Sequence, residues 1–328
     1  MVEPSGCASD MSKEASSSGG ISPCGAPETN SVPGLRASEK DMQANRSSAI
    51  RRLSKLRPFP ATVLRLLSVS SEAGSAADDF ELIFGSDPAL ASRLLRVANS
   101  PLCGICGRVE SVPEAIALMG LEGVRSLAVT LAIGSHLSAA YSTGHVRSVW
   151  GHSLATAVIA ETMGTVCGQD LPLLYTAGLL HDLGRLGLLN IEGSRYAEVL
   201  TRKYLDVGES LLLEDLLFGC AHEDAGAFLG RSWGFPEPLC VCMRHHHQPA
   251  SEGDFLLQQM VQLACSTAAS LGMGEVQCEQ EKPAALDESL AARIFQAPAM
   301  QPECLLSRIH EMVETLASVD AHPQPVAQ

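Results

Sequence analysis

The chain is poor in aromatic residues, with two tryptophans, four tyrosines and eight phenylalanines in 328 residues. It is poor in positive charge as well: 23 lysines and arginines stand against 37 acidic residues, a net charge of −14. So acidic a chain repels a phosphate backbone, which excludes a role in coating DNA or RNA. Long apolar runs are missing. Stretches such as Leu127–Ile133 and Leu211–Leu213 fall short of the ~20 residues that span a bilayer, so no membrane association is expected. The first 50 residues lack a basic start followed by an apolar core and do not read as a secretory leader. The eleven cysteines are odd in number and have no framework spacing. They read as reduced thiols of a cytoplasmic protein. Period-two alternation is absent too, so no strand is predicted. With 46% hydrophobic and 18% charged residues, the composition is neither fibrous nor wholly disordered. The length suits two domains, or one large helical domain with loose ends.

Organisation follows from composition. Residues 1–48, rich in Ser, Gly, Pro, Ala and Glu, cannot bury enough surface to offset their ordering entropy and are expected to be a disordered arm. Residues 49–275 are dense in helical signals. Val63, Leu66 and Leu67, and Phe80, Ile83 and Phe84, fall at i, i+3, i+4. Asp87-Pro88 is a helix start, and Leu90, Leu94, Val97 and Ala98 form one stripe behind it. Residues 276–317 read as a loose connection with one short amphipathic helix, Cys304–Ala317, and 318–328 as a disordered tail. The predicted fold class is all-α.

The chemistry lies in where histidines fall on apolar faces. His152 stands near the start of an apolar helix, Trp150–Met163. His181 ends the series Leu174, Ala177, Gly178, His181, at i, i+3, i+4, i+7, and Asp182 follows it. His222 opens His222, Ala225, Gly226, Leu229. Leu239, Cys242, Met243 and His246 repeat the spacing, with His247 next. A lone histidine on such a face is usually a core residue satisfied by a carbonyl. Four helices each aiming one inwards, with Asp182 and His247 alongside, have the composition of a site for a divalent transition metal such as iron, manganese or zinc. Consecutive side chains lie about 100° apart on a helix, so His181 and Asp182 can share an ion above the edge between them, or Asp182 can bridge two ions. Gly178 and Gly184 are expected to leave room for the ion.

At this point several motifs resemble one family. Leu56-Arg57-Pro58-Phe59-Pro60, the run from Ser86-Asp87-Pro88 to Ala98-Asn99-Ser100, and Ala115-Ile116-Ala117-Leu118-Met119-Gly120-Leu121 resemble the HDOD family, the HD-related output domains of bacterial signalling proteins. Trp150-x-His152-Ser153, Gly178-Leu179-Leu180-His181-Asp182-Leu183-Gly184 and His246-His247-Gln248-Pro249 continue the resemblance in order. It covers about 200 residues. It implies a multi-helix HD-like domain serving as a regulatory module. By position, His152 matches the first metal ligand of the related phosphohydrolases and His181-Asp182 their doublet. His222 and His246-His247 match the additional histidines of the branch that cleaves cyclic dinucleotides.

Three departures accompany the match. Where a late Ala-Asp is usual, this chain has Ala264-Cys265, and a thiolate is a poor stand-in for a hard carboxylate. The lysine that commonly follows the doublet is Arg185, expected to keep a charge that can face a phosphate. The Gly-Tyr-Pro loop is missing. The reading is therefore a regulatory module without catalytic residues, holding a divalent metal through His152, His181, Asp182, His222, His246 and His247, and acting on a signalling protein partner. The alternative is a metal-dependent phosphohydrolase acting on a nucleotide or cyclic dinucleotide. No receiver or cyclase motif accompanies the helical region, so input is expected from a partner, with the N-terminal arm as one contact. Cys103-x-x-Cys106 and Cys240-x-Cys242 read as ordinary thiols. His245 and the cluster Arg51, Arg52, Lys55, Arg57 read as solvated.

Overall fold

The protein is described by a computed structural model covering residues 39–68, 73–104, 108–140, 144–168, 173–202, 206–248, 256–273 and 288–321. Among the described residues every regular element is helical. The first half holds α1 (Glu39–Leu53), α2 (Ala61–Ser68), α3 (Ala73–Ser86), α4 (Pro88–Ala98), α5 (Val112–Ala140) and α6 (Gly144–Cys167). The middle holds α7 (Leu174–Leu180), α8 (Leu183–Glu192), α9 (Ser194–Leu200), α10 (Val207–Phe218), α11 (His222–Ser232) and α12 (Glu237–His245). The chain closes with α13 (Leu256–Ser270), α14 (Glu288–Gln296) and α15 (Pro302–Ala321). The described residues, from Glu39 onwards, belong to one compact unit.

Local chemistry sets several boundaries. The Asp87 carboxylate accepts from the Leu90 backbone N–H at 3.0 Å, and Pro88 occupies the first turn of α4. Asp206 and Glu209 form a reciprocal capping box at the start of α10. Helix α5 breaks at Gly120, whose φ of 76° only glycine adopts without strain. By length and composition Val112–Leu137 within α5 could cross a membrane, which the inspection of apolar runs does not detect. Here it is a core element: Val124, Ala128 and Leu131 are fully buried, and the helix packs on α2, α3 and α4.

Helix α6 is the axis. Every residue from His152 to Ala160 is buried, as expected of a helix apolar around its whole circumference. It packs against α7, α13, α14 and α15. Helices α8, α11 and α12 form a second layer, in which α11 contacts both neighbours.

The chain ends differ from the sequence reading. Residues 39–48 are helical as part of α1, anchored by buried Ala49 and Leu53 and by an Arg52–Glu192 ion pair. The helix read as Cys304–Ala317 runs from Pro302 to Ala321, so its last turn takes in Ser318–Ala321. Leu305, Ile309 and Leu316 bury along one face, and Arg308 bonds Thr162 Oγ1 at 2.7 Å and Glu161 Oε2 at 2.6 Å on α6. Ile294 of α14 is fully buried. Packing on α6 therefore holds segments whose polar composition suggested a loose connection. Residues 1–38, 274–287 and 322–328 lie outside the described residues.

Candidate metal centre

Five separate segments of the chain deliver the centre. His152 comes from α6, His181 and Asp182 from the α7–α8 junction, His222 from the first residue of α11, His246 and His247 from the end of α12, and Cys265 from α13. Two glycines set the spacing. A Cβ on Gly184 would lie 1.8 Å from the His222 carbonyl oxygen, and one on Gly178 would lie 2.9 Å from Ala157 Cα. The space beside these glycines is filled by the backbones of α11 and α6, so the expected room for an ion is not there. Their role is to let main chains touch, which draws the ligand-bearing residues together.

All six residues predicted as ligands converge. Asp182, 3% exposed, sits at the centre. Its Oδ2 faces His181 Nε2 at 3.6 Å and His152 Nε2 at 3.8 Å. Its Oδ1 faces His246 Nε2 at 3.4 Å and His222 Nε2 at 3.5 Å. The ligating atoms of Asp182, His222, His246 and His247 lie within 4.8 Å of one another, and those of His152, His181 and Cys265 form a second such group.

The ring nitrogens farther from Asp182 fix the tautomers. His152 Nδ1 donates to the Met273 carbonyl at 2.5 Å, His181 Nδ1 to Gly178 at 2.7 Å and His246 Nδ1 to Met243 at 3.0 Å. His222 Nδ1 donates to Glu214 Oε2 at 2.7 Å. A carbonyl only accepts, so each neutral ring carries its proton on Nδ1 and turns the Nε2 lone pair inwards. Such outer hydrogen bonds are what orient histidines that hold a metal. The inward Nε2 atoms of His181, His222, His246 and His247 are buried and lack a hydrogen-bond partner. Each such group costs about 1–3 kcal/mol. Lone pairs facing a carboxylate are satisfied by a cation between them, so the residues fit a divalent metal.

Electrostatics agree. Burial holds His152 below the usual imidazole range and His181 and His247 well below it, which keeps them neutral. Burial would also lower His246, but the facing Asp182 outweighs it and raises this imidazole. For Asp182, burial would raise the carboxyl; the Arg185 guanidinium prevails and holds it well below the carboxylate range.

The structure adds residues that the sequence reading missed. Glu214 of α10 is fully buried and accepts from His222 Nδ1, from the His222 backbone N–H at 2.7 Å and from Tyr196 Oη at 2.7 Å. A signal for it exists, since Val207, Ser210, Glu214 and Phe218 share the buried face of α10. The leucines around it, with Leu212 61% exposed, obscure that face. Glu223 accepts from the His247 backbone N–H at 3.2 Å. Arg185, expected to keep a charge that can face a phosphate, is set against two carboxylates. It is buried, its Nε donates to Asp182 Oδ1 at 3.0 Å, and its Nη1 lies 3.6 Å from Glu214 Oε1.

Other candidates stay apart. His245 bonds Gln248 Oε1 at 2.7 Å, away from the centre. Cys240 and Cys242 are buried free thiols, and burial raises Cys242 to about 12. Cys103 is free as well, whereas Cys106 and Pro249 lie outside the described residues.

Fold and centre together define an all-α domain built around a buried histidine–aspartate cluster. The chain belongs to the HDOD family, whose domain model matches residues 56–249. It is similar in fold to an HDOD domain protein of unknown function from Geobacter sulfurreducens (TM-score 0.63, 24% identity, 85% of this chain and 98% of that one). A Shewanella amazonensis protein provisionally named a metal-dependent phosphohydrolase shares the fold at 18% identity (TM-score 0.52, 83% of this chain and 99% of that one). In sequence, the chain is 24% identical over 202 residues to an uncharacterised protein of Treponema pallidum, a match covering 60% of this chain and 38% of that protein.

Proposed function

We propose that this chain is a regulatory module of bacterial signal transduction that acts through contacts with another protein, and that its buried centre holds a divalent metal as part of the module's structure. One observation carries the reading. Among the described residues, the one carboxylate in the donor groups, Asp182, is paired with Arg185, and Cys265 stands where the family resemblance implies a second carboxylate. His152, His181, His222, His246, His247 and Asp182 would hold the ion. When bound, a metal can supply a Lewis acid and an activated water. The chain's own residues do something else: they bury the ion, fix the imidazole tautomers through backbone carbonyls and Glu214, and place an arginine against the one anionic ligand.

A second reading, a metal-dependent phosphohydrolase acting on a nucleotide or cyclic dinucleotide, is supported by two adjacent donor groups, towards both of which Asp182 turns an oxygen, and by the Shewanella protein's name. Elemental analysis of protein purified without chelator, followed by assay on a generic phosphodiester, separates the readings. Stoichiometric metal without turnover is the expected result. Turnover abolished by Asp182→Ala establishes the hydrolase instead.

A further inference from the structure

We propose that Cys265 is a metal ligand, which makes the half of the centre built on His152 and His181 a thiolate-bearing position for an ion of the zinc class. The inference deepens the reading of the centre as metal-binding and rests on it.

The geometry comes from two independent contacts. Cys265 Sγ lies 3.4 Å from His152 Nε2, and both belong with His181 Nε2 to a group whose donor atoms are all within 4.8 Å of each other. His181 Nε2 is completely buried, lacks a hydrogen-bond partner and points into this group. Cys265 itself is 2% exposed and is not disulfide-bonded. Helix α13 packs along both α6 and α7, the helices that supply the two imidazoles, so the thiol is held by three packed elements.

The donor chemistry then splits the centre. Asp182 Oδ1 is directed at His222 and His246, and with His247 makes a nitrogen–oxygen set. Asp182 Oδ2 is directed at His152 and His181, where the remaining donor is sulfur. Two imidazoles and a thiolate are the ligand set that zinc and cobalt accept and that manganese and magnesium disfavour. The position is therefore selective by ligand type. The thiol gives up its proton to solvent when the ion binds, and no oxidation or reduction is involved.

The test uses the full chain reconstituted with cobalt(II) and, separately, with zinc(II). Cobalt is expected to give a near-ultraviolet thiolate-to-metal charge-transfer band, lost in Cys265→Ser while the circular dichroism of the helices is unchanged. Cys265→Asp is expected to keep the metal stoichiometry, lose the band and shift preference towards manganese by about tenfold or more. Should the variants fail to fold, X-ray absorption of the zinc-loaded unmodified protein decides: one sulfur at about 2.3 Å is expected beside nitrogens at about 2.0–2.1 Å. Bound cobalt without the band, a band that survives Cys265→Ser, or a shell fitted by nitrogen and oxygen alone overturns the proposal and leaves the metal centre standing. Absence of any bound metal overturns both.

Discussion

Arg185 Nε donates to Asp182 Oδ1 across 3.0 Å, and both side chains are buried. The carboxylate on which the histidines converge is thus already neutralised by a residue three positions along the chain. A metal arriving at Asp182 competes with a guanidinium, which weakens its hold on the carboxylate.

Arg185→Met is expected to remove that competition. Metal-free protein should lose about 3 kcal/mol, because a buried carboxylate is left without its partner. Saturating zinc should recover most of the loss. Thermal melts of chelated and zinc-loaded protein check this through a zinc-induced rise in Tm that is larger in the variant than in the parent. An equal rise in both would show that the arginine does not oppose the ion.

Glu214→Gln addresses the orientation of His222. The carboxylate accepts from His222 Nδ1, the His222 backbone and Tyr196. An amide placed there turns a donor towards one of those three donors, so the ring loses its fixed tautomer. Metal affinity is expected to fall 10–100-fold, read by competition with a coloured chelator. Affinity within about twofold of the parent would reduce Glu214 to a packing residue.

Two glycine substitutions should have opposite signs. Gly184→Ala inserts a methyl 1.8 Å from the His222 carbonyl, so α8 and α11 must separate. The expected loss is about 3 kcal/mol or more, as for severe overpacking. Gly151→Ala on α6 meets nothing within 4 Å and should gain about 0.5–1 kcal/mol from helix propensity. Urea midpoints of the two variants measure both effects, and a stable Gly184→Ala protein would contradict the close approach.

Acid should destabilise the chelated protein. His152, His181 and His247 are held below the ordinary imidazole value of 6.5, chiefly by burial. As the pH falls the unfolded chain takes up their protons before the folded one. Their contribution is complete above about 6.5 and is lost as the pH drops below it towards the folded values. His246 has the opposite sign, because its folded value is raised by Asp182; the stability it adds is present below 6.5 and disappears as the pH rises through the folded value. Three groups outweigh one, so denaturant midpoints should correspond to about 2 kcal/mol less stability near pH 5.5 than near pH 7.5. Trp150 and Trp233 provide the fluorescence signal, and a flat profile would refute the assignment of neutral buried imidazoles.

What could be read from the chain alone was whatever depends on neighbours in sequence. Asp87-Pro88 announces α4 because capping is a local interaction. The i, i+3, i+4, i+7 spacing behind His181, and the same spacing around His222 and His246, places the imidazoles on inner faces. What escaped depends on contacts between distant segments. Arg185 reads as a phosphate-facing cation until the fold sets it against Asp182 and Glu214. Gly184 reads as spare volume until α11 is seen lying against it. The helix α15 reads as short because part of its anchoring comes from α6, 146 residues earlier, through Arg308 and Thr162.

The span of chain between His152 and Cys265 is 113 residues, and the two side chains meet at the centre. An ion gripped from both ends would act as a non-covalent cross-link closing that long loop, shrinking the unfolded ensemble much as a covalent tether does. Metal supply in the cell would then govern how long this molecule persists folded, a form of control that requires no chemical turnover.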